Sequence, residues 1–425
     1  MASKSAEAAP FRSIFSNASL MLLVALLLAE TTINYINRQT LSVLAPTLRD
    51  EFKLSNSQLA TIQNAFMITY VFSYALAGWV IDRLGVGRGL SLAMVWWSVA
   101  GMLTSLSRGF WSMVFFRSFL AVGAGGAWPS FAKAVAKWVP AKARALAMGA
   151  CNCGSSVGSM ITPPLAVFVA VRFGWQAAFV VGGVIGFVWL VAFYVFRRYH
   201  PQMRATDRGQ SASDPSAPRV RWASLLRYRQ TWAVFFCRFF ADPLWYFYIF
   251  WIPEFLARER GLSQTAIGAV AWIPFLVSGS SNFLSGYATL LLERGGWSPN
   301  RTRKALMLLA TVISPIGIAA VFAHSLFWTM AFISVAVFFW MGWSVTVHTL
   351  PGDYFPPHAV ASVYGIGGAG STLGSVISTQ AVGWTLDLTH SYVPVFVGIG
   401  LLMPVAFVVG TWLMGRVEPV RMREA

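Results

Sequence analysis

The chain is poor in charge, in acid and in cysteine, and each shortage excludes something. Only 11% of its 425 residues are charged, where soluble proteins carry about a quarter. A water-facing surface cannot be covered with so few, which excludes a soluble globular class. Asp and Glu number 15 against 32 Lys and Arg, a net charge of +17. That excess could suggest a nucleic-acid partner, but no soluble segment interleaves basic with aromatic residues, so none is expected. The three cysteines, Cys151, Cys153 and Cys237, all lie in apolar segments. They indicate neither a disulfide framework nor a metal site. The first 18 residues, MASKSAEAAPFRSIFSNA, are polar, and no A-x-A cleavage site follows the apolar stretch. They read as a retained cytoplasmic tail, not a signal peptide.

What is present is apolar. Hydrophobic residues make up 56% of the chain and mean hydropathy is +0.61. Runs of roughly 20 apolar residues are long enough to cross a bilayer. Twelve such spans are expected, at about 19–45, 58–81, 89–107, 110–131, 144–170 and 175–197, then 231–256, 264–291, 303–323, 326–350, 360–384 and 392–415. The polar stretch between the halves, YHPQMRATDRGQSASDPSAPRVRWASLLRYRQ, is too polar to cross and too short to be a domain, so it is a linker. The expected organisation is a tail (1–18), a six-helix bundle (19–197), a linker (198–230), a second six-helix bundle (231–415) and a short C-terminal tail (416–425). With the N-terminus inside, 23 of the 32 Lys and Arg fall in inside segments and six in outside loops. That bias places both termini in the cytoplasm.

Five ionisable residues stand within spans: Glu30, Arg38, Arg117, Arg238 and Asp242. Such groups are costly in a membrane and mark functional sites. At 100° per residue, Glu30, Asn34, Asn37 and Arg38 share one arc of the first span, which faces a polar interior. Arg117 lies on the fourth span. Two arginines on different helices, neither with an acid nearby in sequence, suit an anionic ligand, because a guanidinium grips carboxylate bidentately and keeps its charge. Tyr70, mid-span on the second helix, could add a hydroxyl donor. Arg238 and Asp242 stand at i, i+4 and can neutralise each other. Pro243 frees a backbone carbonyl beside them. Trp245 and Tyr246 share the Asp242 face, while Tyr248 and Trp251 continue a set that reads as an interfacial belt.

Two soluble-enzyme signatures lose their meaning in this setting. GSSVG (154–158) and GIGGAG (365–370) both lie in apolar helices, without the strand–turn–helix context that nucleophile elbows and dinucleotide folds require. Small residues there let helices approach closely. No enzyme activity and no cofactor is expected.

A faint internal repeat ties the halves together. GWVIDRLGVGR (78–88) follows the second span and GYATLLLERGG (286–296) the eighth. Gly78, Asp82, Arg83 and Gly85 match the G-x-x-x-D-R-x-G loop of the major facilitator superfamily, which the chain resembles. Further stretches resemble its anion:cation symporter family and, within it, the hexuronate transporter group. They are NYINRQTLSVLAPTL, FFRSFLAVGAGGAWPSF, CNCGSSVGSMITPPL, LLRYRQTWAVFFCRFFADPLWYFYIFWIPEFL and PGDYFPPHAVASVYGIGGAGSTLG.

The resemblance implies an all-α membrane protein of twelve transmembrane helices in two pseudo-symmetric six-helix bundles. It implies proton-coupled uptake of a small organic anion such as glucuronate or galacturonate by a monomer in a bacterial inner membrane. It also implies that Arg38, Tyr70 and Arg117 contact the substrate carboxylate. The chain departs from the family at chosen places. An Asp before the first-span arginine is Asn37 here, a Glu seven residues after Arg117 is Ala124, an Asn is Ala127, and a His–Gln pair is Trp340 and Met341. Glu30, where relatives carry an uncharged residue, and Asp242 are then the carboxylates left for coupling. A pocket lined by Trp245 and Trp340 suits a carboxylate with fewer hydroxyls than a hexuronate. Loss of both family carboxylates leaves exchange or uniport open, and a non-transporting receptor is the reading of another class.

Overall fold

The computed structural model describes residues 18–139, 144–200, 203 and 222–420, and among them the chain is helical with no strand. Where no water can satisfy backbone N–H and C=O groups, helices are what an apolar run must form. In chain order the first half holds α1 (Ala18–Val43), α2 (Ala45–Phe52), α3 (Asn56–Leu84), α4 (Val86–Thr104), α5 (Phe110–Ala124), α6 (Ala127–Trp138), α7 (Arg144–Phe173) and α8 (Trp175–Tyr199). The second holds α9 (Arg229–Arg258), α10 (Gln264–Val270), α11 (Ile273–Arg294), α12 (Pro299–Ile313), α13 (Leu326–Tyr354), α14 (Pro357–Thr389) and α15 (Val393–Met414). Eleven of the twelve expected spans coincide with one of these helices or with a consecutive pair, and the span at 303–323 runs through α12, a 3-10 turn (Ser314–Ile318) and a one-turn helix (Ala319–Phe322). Nine segments among the described residues are long and apolar enough to cross a membrane, so this is a multi-pass membrane protein. The tail, most of the linker and the last five residues lie outside the described residues.

The chain divides into two compact units. The first comprises residues 1–52 and 65–215, the second 53–64 and 216–425. The division falls inside the linker, but helix α3 is shared. Its first residues, up to Asn64, cluster with the second unit, which a plain six-plus-six reading does not anticipate.

Helices in lipid gain nothing from burying one apolar surface on another, so packing and backbone approach hold them together. The two discarded motifs supply that approach. In the first unit Gly154 and Gly158 of α7 lie against Thr31 and the carbonyl of Thr32 on α1. In the second, Gly370 and Gly374 of α14 lie against the Phe235 and Phe239 carbonyls of α9. The Phe239 carbonyl is the one Pro243 leaves without its helical donor. The loop after α3 turns at Gly85, whose φ of 81° only glycine adopts at no steric cost. The side chains of Gly78, Asp82 and Arg83 lie outside the described residues.

Several charges in the second unit sit at helix ends. Arg303 bridges Asp353 at 3.0 Å and Glu293 at 3.3 Å, tying α11, α12 and α13 together. Arg229 donates to the last carbonyls of α15, those of Trp412 and Leu413, where a cation suits the negative end of the helix dipole. Asp387, beyond the apolar part of α14, caps α3. It accepts from the Asn56 and Ser57 backbone N–H groups and from Asn56 Nδ2, all at 2.9 Å. Partial burial pulls its carboxyl upward, but these hydrogen bonds outweigh that and hold it below the usual carboxylate range.

A depressed pKa contributes stability that is present above the ordinary carboxylate pKa and lost as pH falls through the folded value. Losing an N-cap costs about 1 kcal/mol. Asp387→Ala is therefore expected to lower the unfolding temperature by roughly 2–4 °C at pH 7, with the difference vanishing in strongly acidic buffer. A thermal-unfolding series across pH checks it; an equal loss at every pH would contradict the cap.

Candidate functional site

The first-span arc divides in the folded chain. Asn37 is buried and its Nδ2 donates to Ile33 O at 3.1 Å and to Gly182 O of α8 at 3.2 Å. Its Oδ1 is wedged against Gly101 of α4 and Gly182. Its amide is a bolt between α1 and α8. Asn34 is also buried, one turn from Arg38.

Arg38 points the other way, into an aromatic nest. Its guanidinium carbon lies 5.3 Å from the Tyr35 ring, 5.0 Å from Phe66 and 5.3 Å from Tyr70. Phe66 and Tyr70 stack one turn apart on α3, centroids 5.8 Å apart. Arg117 approaches the same Phe66 ring at 5.0 Å. Its Nη2 donates to the Arg38 carbonyl at 3.0 Å, and the side chain is among the largest fully buried ones. Two guanidiniums thus converge on one phenyl ring, with the Tyr70 ring beside Arg38. Ring faces attract cations, so Phe66 holds both like charges where water would otherwise be needed. Sequence reasoning missed Phe66 and Tyr35. Their spacing from known members, four residues before Tyr70 and three before Arg38, could have found them.

The second unit carries its own polar cluster. Arg238 Nε bonds Asp242 Oδ2 at 3.1 Å, the expected i, i+4 pair, with both side chains largely buried. The Arg238 guanidinium lies 5.4 Å from the Tyr364 ring, and His348 packs on that ring at 5.2 Å. Trp245 and Trp340 stack nearly parallel, 4.8 Å and 8° apart. Trp340 is buried and its Nε1 donates to the Ala241 carbonyl at 2.7 Å. It therefore backs Trp245. Trp245 is half-buried and meets Phe275 edge-on. Tyr248 and Trp251 are buried in the unit's interior, at 2% and 1% exposure, not in an interfacial belt. Among the described residues no cluster of His, Cys, Asp or Glu could hold a metal ion.

The sequence model of the Major Facilitator Superfamily matches residues 27–379 and 235–425. The chain belongs to this superfamily. Within it the chain is hexuronate-transporter-like. It is 31% identical over 388 residues to the hexuronate transporter of Escherichia coli (strain K12), covering 88% of this chain and 89% of that one. It is 30% identical over 283 residues to the galacturonate transporter of Dickeya chrysanthemi, covering 64% and 82%. The crystal structure of a D-xylose–proton symporter superposes with a TM-score of 0.73 over 95% of this chain and 98% of the other, at 14% identity. At that identity the likeness is one of fold.

The two roles of adjacent residues can be separated by measurement. Asn37→Ala is expected to lower the unfolding temperature, because the Gly182 carbonyl loses a buried donor, an effect of about 1–3 kcal/mol. It should leave the affinity for a sugar acid within about twofold. Phe66→Ala should do the reverse, weakening binding of the organic anion roughly 10-fold, since a desolvated cation–π contact is worth about 2 kcal/mol. Paired thermal-shift and binding titrations check both.

Proposed function

We propose that the chain is a secondary transporter that imports an organic anion of the sugar-acid class, with proton symport. The observation that carries this is the pair of guanidiniums, Arg38 and Arg117, each 5.0 Å from the Phe66 ring on which Tyr70 stacks. Two like charges kept close together in a low-dielectric interior raise the energy of the empty site, and an arriving carboxylate lowers it. Relatives named for hexuronate and galacturonate support a sugar acid as cargo. A further relative is named as a probable galactarate/D-glucarate transporter, which fits the same anionic class. Cationic cargo is disfavoured, because it would meet two positive groups.

The charge bias of the loops supports cytoplasmic termini and an inner-membrane location. In the second unit the apolar face of Trp245 suits a body less hydroxylated than a hexuronate. Glu30 and Asp242 are the carboxylates available for a coupling proton. Asp242 is charge-matched by Arg238 at 3.1 Å.

A second reading, exchange or uniport without protons, is favoured by one observation. The Asn37 amide is fixed in the α1–α8 seam, and Ala124 is a buried methyl, so neither position can carry a proton.

Uptake of labelled D-galacturonate into proteoliposomes tests the proposal. Arg38→Lys and Arg117→Lys keep the charge but lose the planar fork. Each is expected to raise KM by about 10- to 100-fold, the loss of one charged hydrogen-bonded contact. Unchanged KM in both variants would contradict the anion site.

A further inference from the structure

Helix α14 presents two unlike faces. On one, Gly370 and Gly374 lie against the Phe235 and Phe239 carbonyls of α9, too close for a side chain or water to enter. On the other, α14 meets the first turns of α3 through polar groups. Asp387 accepts from the Asn56 and Ser57 backbone N–H groups and from Asn56 Nδ2. One turn back along α14, a Cβ placed on Gly383 would stand 2.8 Å from Ala60 Cβ and 2.9 Å from Ser57 Cα, so the missing side chain lets the helices close. Gln380 Oε1 then accepts from Thr61 Oγ1 at 3.3 Å and from Asn64 Nδ2 at 3.2 Å. Its Nε2 donates to the Ser57 carbonyl at 3.4 Å. Last, Asn64 Nδ2 donates to the Val376 carbonyl at 3.0 Å. As α3 advances from Asn56 to Asn64 its partners step back from Asp387 to Val376, so the two helices run antiparallel with a rung at each turn.

The chemistry of this seam suits a contact that opens. Its rungs use side-chain hydrogen bonds, which water can replace at modest net cost. The backbone N–H groups that Asp387 takes belong to the first turn of α3, where the helix itself supplies no acceptor. Parting them from Asp387 therefore breaks nothing inside α3. The closed form is also incomplete. Asn56 Oδ1 and Asn64 Oδ1 are buried and have no hydrogen-bond partner among the described residues. A buried acceptor without a donor is destabilising, and entering water would relieve it. Hydrogen bonds thus favour the closed seam while two stranded oxygens favour the open one. A second observation points to the same place. Residues 53–64 cluster with the second unit and residues 65–215 with the first. Asn64, the last rung, is the residue at which α3 changes membership.

We propose that the seam from Asn56 to Asn64 on α3 and from Asp387 to Val376 on α14 is a releasable latch, which α3 leaves when the outer side of the protein opens to cargo. The inference rests on the transport reading for its role and on cytoplasmic termini for the side it closes. The rungs and the stranded oxygens depend on neither. Because α14 is held to α9 by its glycine face, α3 is the partner that moves, and water takes over its freed polar groups.

Two measurements on the purified full-length protein, with Cys151, Cys153 and Cys237 replaced by alanine, test this. In the first, spin labels at the exposed positions Lys53 and Leu388 report their separation by double electron–electron resonance. A short and a longer distance are expected. Asp387→Ala and, separately, Gln380→Ala remove rungs and should raise the share of the longer distance about 10-fold. A single distance that neither variant moves overturns the latch. The second joins the helices through Ala60→Cys with Gly383→Cys, whose Cβ atoms need to give by only about 1 Å to form a disulfide. The oxidised protein should lose D-galacturonate exchange in proteoliposomes roughly 10-fold or more, and reduction should restore it. Undiminished exchange by fully cross-linked protein overturns the latch. Absence of exchange before cross-linking and after reduction refutes the transport reading alone, since the measured distances still decide whether the seam opens.

Discussion

Everything in the first unit depends on how a membrane interior accommodates two guanidiniums without water. Desolvating one cation costs several kcal/mol, and two like charges near each other cost more. The chain meets this with ring faces and a carbonyl. Phe66 is shared by Arg38 and Arg117, Tyr35 and Tyr70 flank Arg38, and the Arg38 carbonyl takes a hydrogen bond from Arg117. None of these groups brings a negative charge. The arrangement holds the cations in place with ring faces and a backbone carbonyl.

That nest needs a rigid first helix, and much of the first unit serves to fix α1. Gly154 and Gly158 let α7 approach its backbone. Trp189 and Asn37 bond it to α8 at two levels, and Gln39 bonds Ser159 of α7 at 2.8 Å. Adjacent residues on such a helix serve opposite purposes because they face 100° apart. Asn37 locks a seam and Arg38 faces the Phe66 nest.

Much of this was legible in sequence. Length, apolar runs and charge bias gave the class, and each expected span met a helix. The Arg238–Asp242 pair followed from spacing alone, and the packing role of GSSVG and GIGGAG followed from their apolar setting. Other features were not legible. An arc of polar residues does not say which neighbour each end meets: Asn37 bonds α8 while Arg38 turns to Phe66. Nothing local in the sequence shows that Ala241 takes the N–H of Trp340. Tyr248 and Trp251 read as a membrane belt, since burial of a span end depends on which helices surround it. Phe66 carried no charge and drew no attention, yet it organises the site.

The measurement that tests the account most directly compares D-galacturonate with its methyl ester, which keeps every hydroxyl and loses the charge. Intrinsic tryptophan fluorescence of the purified protein would report both titrations. A site built from Arg38 and Arg117 predicts saturable binding of the acid and at least about 10-fold weaker binding of the ester, the least that one charge-assisted hydrogen bond contributes. Equal affinity for acid and ester would contradict it, and the two guanidiniums would then have to be explained as structure.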